Sequence, residues 1–390
     1  MVTCSRDMPK LERLRKLWLA NSATRRDLVD FSLLLIRHQA KLSAKTRPSK
    51  RHHRALLPYL LSGYASSQHA RKPKSCCAAV QAATCMAYYC NASHQTEDRP
   101  RHKDGCNKIK KSRKALEKED KRLRDTFVPP GVFVDGVGQF SDIPQTNEYQ
   151  TVRYKYARDL LQVFGGPGGR TEAVQEALNH LVDLIRLCGH DSIRVQDYLP
   201  HLYLRLGKDQ EAYEFLRDFV VASDGRRPPV DAMEALPEAW TDGEFTAFSH
   251  TAAITLIKVK ILLDLQAAQI TARALDGTMP PEIIELIRGQ LVGGIVSSRP
   301  DILLNGSQDL SALIEKVKGQ MIELYRSANT YNPHFWRLMN SDPIQASKEW
   351  SGGFTRRTKD EACMWIGYCV SAWVETPGAL DVMRELGKAA

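Results

Sequence analysis

Residues 198 to 220 read YLPHLYLRLGKDQEAYEFLRDFV, and this stretch decides the fold class. Leucines recur up to Leu206, and Gly207 then supplies the left-handed position that closes a helix, because a residue without Cβ adopts positive φ at no steric cost. Asp209 starts a second helix that carries Ala212, Phe215 and Leu216 on its inner face. Small Ala opposite large aliphatics lets two antiparallel helices approach closely. The stretch predicts a helical hairpin.

Outward from this hairpin the pattern repeats. Apolar residues recur near a period of 3.6 over 152–163, 170–188, 193–206, 210–222, 244–271, 280–291, 310–328, 359–374 and 380–386. Upstream, 9–43 and 55–62 read the same way, and the charge-laced run after Cys106 predicts a helix ending before Pro129-Pro130. No alternating run of strand length competes, so the expected fold class is mainly α. The hairpin at 198–220 resembles a tetratricopeptide-type unit. No repeat at a period of about 34 residues accompanies it, which leaves an α-helical bundle and an irregular tetratricopeptide-like array as alternatives.

The chain has 390 residues, 43% of them hydrophobic, enough to bury a core and to form two or three domains. No run of about 18 uncharged apolar residues occurs, and the first residues are charged throughout, so the expectation is an intracellular protein of nucleus or cytoplasm with no membrane partner. The net charge of +10 is divided unevenly. Residues 1–130 hold 29 Lys and Arg against 11 Asp and Glu, whereas residues 131–390 hold 26 against 34. A basic front half with the run KTRPSKRHHR (45–54) admits nuclear import, an acidic partner or nucleic acid, beside a plainly solvated face. No base-reading module accompanies it, so sequence-specific DNA recognition is not expected.

Phosphate loops, dinucleotide fingerprints and nucleophile elbows are absent, so the expected class is a non-enzyme with no small-molecule substrate. The aromatic stretches YNPHFWRLM (331–339) and EACMWIGYCVSAWVETPGAL (361–380) place Trp365, Tyr368, Val370 and Trp373 at helical spacing, which reads as core. His180, His190, His201, His250 and His334 have no acid or nucleophile beside them in sequence and read as structural.

Nine cysteines are clustered rather than spread: Cys76, Cys77, Cys85, Cys90 and Cys106 crowd one segment together with His94 and His102. That clustering argues for metal over disulfides. Cys188, Cys363 and Cys369 sit in apolar helical stretches and read as small buried hydrophobes. Zinc takes four thiolate or imidazole ligands in a tetrahedron, and residues four apart on a helix share a side. Both Cys90 with His94 and His102 with Cys106 have that spacing.

The second half of this segment resembles a MYND-type zinc finger: Tyr89-Cys90, Asn91, His94-Gln95, Asp98, His102-Lys103 and Cys106 stand in the family's order and spacing. The first half departs from it. Where the family's register places an upstream cysteine pair, this chain has Gln81 and Thr84; Cys85 lies one residue off, and Cys76 and Cys77 are adjacent, which points them to opposite sides of an extended chain. The resemblance implies a degenerate, treble-clef-like finger. With Cys76, Cys77, Cys85, Cys90, His94, His102 and Cys106 as candidate ligands where the family uses eight, it implies one zinc rather than two, with no zinc or a rearranged site as alternatives.

Beyond the finger, HQTEDRPRHKDGC (94–106), LYLRLGKDQEAYEFL (202–216), SHTAAITLIKVKILLDLQ (249–266) and SAWVETPGAL (371–380) resemble a group of fungal proteins in which a MYND-type finger precedes an all-helical region. The expected organisation is a basic helical segment with linker (1–75), the finger and its following helix (76–126), a linker (127–148) and an all-helical domain (149–390). MYND fingers bind short proline-containing peptides, so the resemblance implies a protein-protein interaction adaptor or regulatory protein. The rival reading is a nucleic-acid-associated, transcription-related factor that uses the basic front half.

Overall fold

A helix that is apolar on every side must lie inside a protein, and Phe248–Ala274 is such a helix. In the computed structural model Ala253, Ile254, Leu256, Ile257, Val259 and Leu265 along it are all fully buried. The structure describes residues 80–81, 88–89, 92–127, 131–188, 194–225, 227–235, 237–241, 248–274, 289–303, 307–350 and 352–389. The expected helices at 9–43 and 55–62, the basic run 45–54 and most of the expected helix at 280–291 lie outside the described residues; residues 289–290 form a turn. Ser75–Ala390 form one compact unit, to which all the described residues belong.

The unit begins with two short antiparallel strands, β1 (Val80–Gln81) and β2 (Tyr88–Tyr89), in which Val80 opposes Tyr89 and Gln81 opposes Tyr88. Ten helices of seven or more residues come after them among the described residues: α1 (Ala92–Thr126), α2 (Asn147–Val163), α3 (Thr171–Cys188), α4 (Leu199–Arg205), α5 (Asp209–Asp224), α6 (Phe248–Ala274), α7 (Ser307–Tyr331), α8 (His334–Ser341), α9 (Lys359–Glu375) and α10 (Ala379–Ala389). The described part is mainly helical, as the sequence pattern predicts.

Helices α1, α2 and α3 pack in sequence order around Ile109, Leu123, Tyr156, Leu160, Val174 and Leu181. The segment 131–146, expected to be a plain connection, contributes short helical turns in which Val132 and Phe140 are buried in the same cluster. The hairpin is present as predicted: α4 packs on α5, and Gly207 between them has φ of 69°. Its first helix is shorter than the spacing suggests. A 3-10 turn at Val195–Asp197 precedes it, and Pro200, which has no N–H to give, sits in the first turn, where none is needed.

Helix α6 runs through the centre and meets α4, α5, α7, α9 and α10. Its main partner, α7, offers one stripe, Leu310, Ile314, Val317, Met321, Leu324 and Ala328, all buried at alternating spacings of four and three. The aromatic stretches are core, as their spacing predicts. Trp336 lies edge-on to Trp373 at 5.5 Å, Phe335 to Phe248 at 4.8 Å, and Tyr368 to Tyr198 at 4.5 Å. Cys188, Cys363 and Cys369 are buried among these helices, in agreement with their reading as small hydrophobes.

Candidate functional site

Of the seven candidate metal ligands, Cys76, Cys77, Cys85 and Cys90 lie outside the described residues. His94, His102 and Cys106 lie in α1, where the side chain of Cys106 is half-buried. The helix therefore starts within the candidate finger rather than after it, and it continues through Pro100. Among the described residues no three His, Cys, Asp or Glu side chains form a group that could hold a metal ion.

Helix periodicity sorts the ligand positions that α1 carries. Positions 102 and 106 are one turn apart, about 6 Å along the axis, a spacing that fits a single ion. Position 94 stands about 12 Å before 102 and about 18 Å before 106 along the axis, and the latter separation exceeds what a histidine and a cysteine side chain span together around one ion. Along a continuous α1, an ion held by both positions 102 and 106 would therefore not also take position 94. At Gly105, beside Cys106, an added Cβ would stand 2.7 Å from Cγ1 of Val163, so the absence of a side chain lets α1 approach the end of α2.

In the helical region the titratable groups are buried and used by the fold. Asp209, the first residue of α5, pairs with Lys260 of α6, and its other oxygen accepts from the Gly294 backbone N–H at 2.5 Å. Asp264, one turn further along α6, accepts from the N–H groups of Val292 at 2.7 Å and Gly293 at 2.9 Å. Burial pushes its carboxyl up to about 7, and those two N–H donors oppose the shift. Two buried carboxyl groups therefore fasten residues 292–294 to α5 and α6, and Lys260 neutralises one of them.

A second buried cation, Lys258, donates to the carbonyls of Ala232 at 2.7 Å and Ala235 at 2.9 Å and to Oε1 of Gln320 at 2.7 Å. Three strong acceptors match the three protons of an ammonium. Glu361, at 1% exposure, accepts from the Tyr331 hydroxyl, the Asn332 amide and the Arg357 N–H. Arg205 of α4 grips both oxygens of Glu375 on α9, at 2.7 and 2.8 Å, and donates to the Gly166 carbonyl. Each of these groups joins elements distant in sequence.

Of the histidines read as structural, His190 lies outside the described residues and His334 is half-buried, while His201 and His250 are fully buried. Nε2 of His201 lies 3.2 Å from the Ser249 carbonyl and Nε2 of His250 3.2 Å from the Gln196 carbonyl, and burial lowers both rings, to about 3 and about 4. Burial likewise lowers His180, stacked edge-on against Tyr156, to about 4.

An open depression of about 530 Å³ lies between α7, α8 and α10, lined among others by Tyr325, Asn329, Arg337, Asp381 and Arg384. Arg384 pairs with Asp381 and Lys388 with Glu385 along its rim. The depression brings together cations, carboxylates and amides, and no cysteine or histidine lines it. The polar networks around Lys258, Lys260 and Asp264 are not legible in the sequence pattern. Their one local signal is charge inside a helix otherwise apolar all round, since such charges are tolerated only when paired.

No protein-family model, curated protein or solved structure matches the chain. No described helix is long and apolar enough to cross a membrane.

Proposed function

We propose that this protein is a non-enzymatic, zinc-binding adaptor that docks other proteins through a degenerate MYND-type finger and a tetratricopeptide-like helical region. One observation carries the reading: the antiparallel pair β1–β2 leads directly into a helix that bears His94, His102 and Cys106. A strand pair followed by a ligand-bearing helix is the outline that a treble-clef finger implies. Cys85 falls between the two strands in sequence and Cys90 directly after the second, which puts candidate ligands at each junction of that outline.

The split along α1 agrees with a two-position finger that has lost ligands for one position. Cys90 and His94, completed by Cys76 or Cys77 together with Cys85, make one four-ligand zinc site; His102 and Cys106 are left with Cys85 at best. The non-enzymatic part of the reading is supported by the helical region, where Asp209, Lys258, Lys260, Asp264 and Glu361 are committed to bonds that hold helices together. Those bonds leave them no acid-base role.

Zinc content of the purified full-length chain, measured by elemental analysis, tests the reading. One zinc per chain is expected, lost in Cys90→Ser and in His94→Ala and retained in His102→Ala. Two zincs would sink the ligand count, and none would sink the metal site. Titration with a proline-containing peptide, with and without a chelator, tests the docking role: binding that ignores the chelator places docking in the helical region instead of the finger.

A further inference from the structure

Helix α1 is amphipathic in an unusual sense: one side is core and the opposite side is predominantly cationic. Ile109, Leu116 and Leu123 face the cluster shared with α2 and α3. Lys103, Lys110, Lys111, Lys114, Lys118 and Lys121 are exposed. At 100° per residue these six fall within an arc of about 100°, and at 1.5 Å per residue they span about 27 Å of the axis.

The interleaved acids do not neutralise them. Glu119 pairs with Arg122 and Asp120 with Arg124, while Arg113 turns to Tyr156 and Glu176, and Lys108 to Asp159 and Gln162. The acids near the interior are thus taken up by arginines and by the lysine nearest α2. None of the six ridge lysines has an ion pair among the described residues; the exposed Asp125 shares their arc one turn beyond Lys121, and the exposed Asp104 and Glu117 flank it, so the cations outnumber the acids on this side.

We propose that this lysine ridge is a sequence-independent binding surface for the phosphate backbone of double-stranded nucleic acid. Complementary charge selects the class of partner, and three features narrow it. Protein interfaces are depleted in lysine; carboxylate-bearing partners are better held by the forked guanidinium of arginine, and Arg113, Arg122 and Arg124 of this helix are already engaged with Tyr156, Glu119 and Asp120. A membrane-binding helix needs a free apolar face, whereas that of α1 is buried against α2 and α3. No aromatic side chain stands on the ridge to stack an unpaired base, which disfavours single strands. A straight row of point charges suits a duplex, whose backbone carries one charge per about 1.7 Å.

The ridge lies mainly downstream of the candidate zinc ligands, so its binding is independent of metal and stands or falls apart from the adaptor reading. The experiment is fluorescence anisotropy of the full chain with two unrelated 20-base-pair duplexes across a range of potassium chloride concentrations. Similar affinity for both duplexes is expected, with a steep loss on adding salt. In the triple variant Lys110→Gln, Lys114→Gln, Lys121→Gln the logarithmic salt slope should shrink by about three, and the matching Lys→Arg triple should keep it. The basic run at 45–54 is identical in wild type and variants, so the difference isolates the ridge. Absence of binding at low salt overturns the proposal, as does an unchanged slope in the Gln triple with native helix content by circular dichroism. Equal binding to phosphatidylserine vesicles would also overturn it, in favour of a membrane surface.

Discussion

Asp209 and Lys260 form an ion pair in which neither side chain is more than 5% exposed. One begins the second helix of the hairpin and the other lies in the central helix. Asp209 also accepts from Gly294, so one carboxylate holds three segments. Removing it leaves a buried ammonium without its counter-charge and a backbone N–H without its acceptor. Asp209→Ala is therefore expected to cost about 3–5 kcal/mol in urea unfolding. The double replacement Asp209→Leu with Lys260→Met should cost less than Asp209→Ala alone, because no charge is left unpaired. Equal or greater loss in the double variant would show that the pair stabilises by more than mutual neutralisation.

The loop on the other side of that pair has no room for a side chain. At Gly293 an added Cβ would come within 2.8 Å of Oδ2 of Asp264 and 3.2 Å of Oδ2 of Asp209. Its backbone is extended, with φ of −126°, so the obstacle is steric. Gly293→Ala should cost about 1–3 kcal/mol by overpacking. Pairing it with Asp264→Ala, which removes the nearest obstacle, should cost less than the sum of the two single variants. Strict additivity in that cycle would refute the stated contact.

The hairpin and the buried network mark where sequence reading succeeds and where it stops. The hairpin is legible because its signal is local: Gly207 between two apolar periods, then Asp209. The stripe of α7 is legible for the same reason. Helix α8 is not, since eight residues behind Pro333 are too few to show a period. The buried network is invisible in sequence because its partners are far apart in the chain; Asp209 and Gly294 are separated by 85 residues. At the candidate finger, the spacing of His102 and Cys106 is readable as one helical turn, but the separation of position 94 from them along one axis requires that α1 be continuous. Cys76, Cys77, Cys85 and Cys90 lie outside the described residues.

Acid should destabilise the fold through its histidines. Burial holds His180, His201 and His250 well below the ordinary 6.5, at about 4, about 3 and about 4. In all three Nδ1 is buried with no hydrogen-bond partner among the described residues, so a proton added there would have no acceptor. Below pH 6.5 the unfolded chain takes up protons that the folded chain refuses until about pH 4, and stability falls as pH falls through that window. Asp264 works the other way: its raised carboxyl binds a proton in the fold between about 7 and the ordinary carboxylate range, which favours the folded state as pH falls. The three histidines together lose about 5 kcal/mol between pH 7 and pH 5, Asp264 returns about 2, and the net loss is roughly 3 kcal/mol. Urea unfolding at pH 7, 6 and 5 measures it. In His180→Phe the loss should shrink by roughly the share of one histidine, and stability that is flat or rising toward pH 5 would refute the argument.

Lys258 should rank as one of the costliest positions in the helical region. Burial pushes its ammonium down to about 7, and three acceptors from two directions, Ala232 and Ala235 on one side and Gln320 on the other, favour its charged form. Lys258→Met keeps the length of the stem but removes every donor, leaving two carbonyls and an amide oxygen buried without partners. A loss of about 3–5 kcal/mol is expected, together with faster hydrogen exchange at residues 231–235, whose path over α6 depends on this contact. Gln320→Leu removes one acceptor and leaves the ammonium two, so it should cost less than half as much. If the two variants prove equally costly, the lysine acts mainly through Gln320 and the loop carbonyls are incidental to stability.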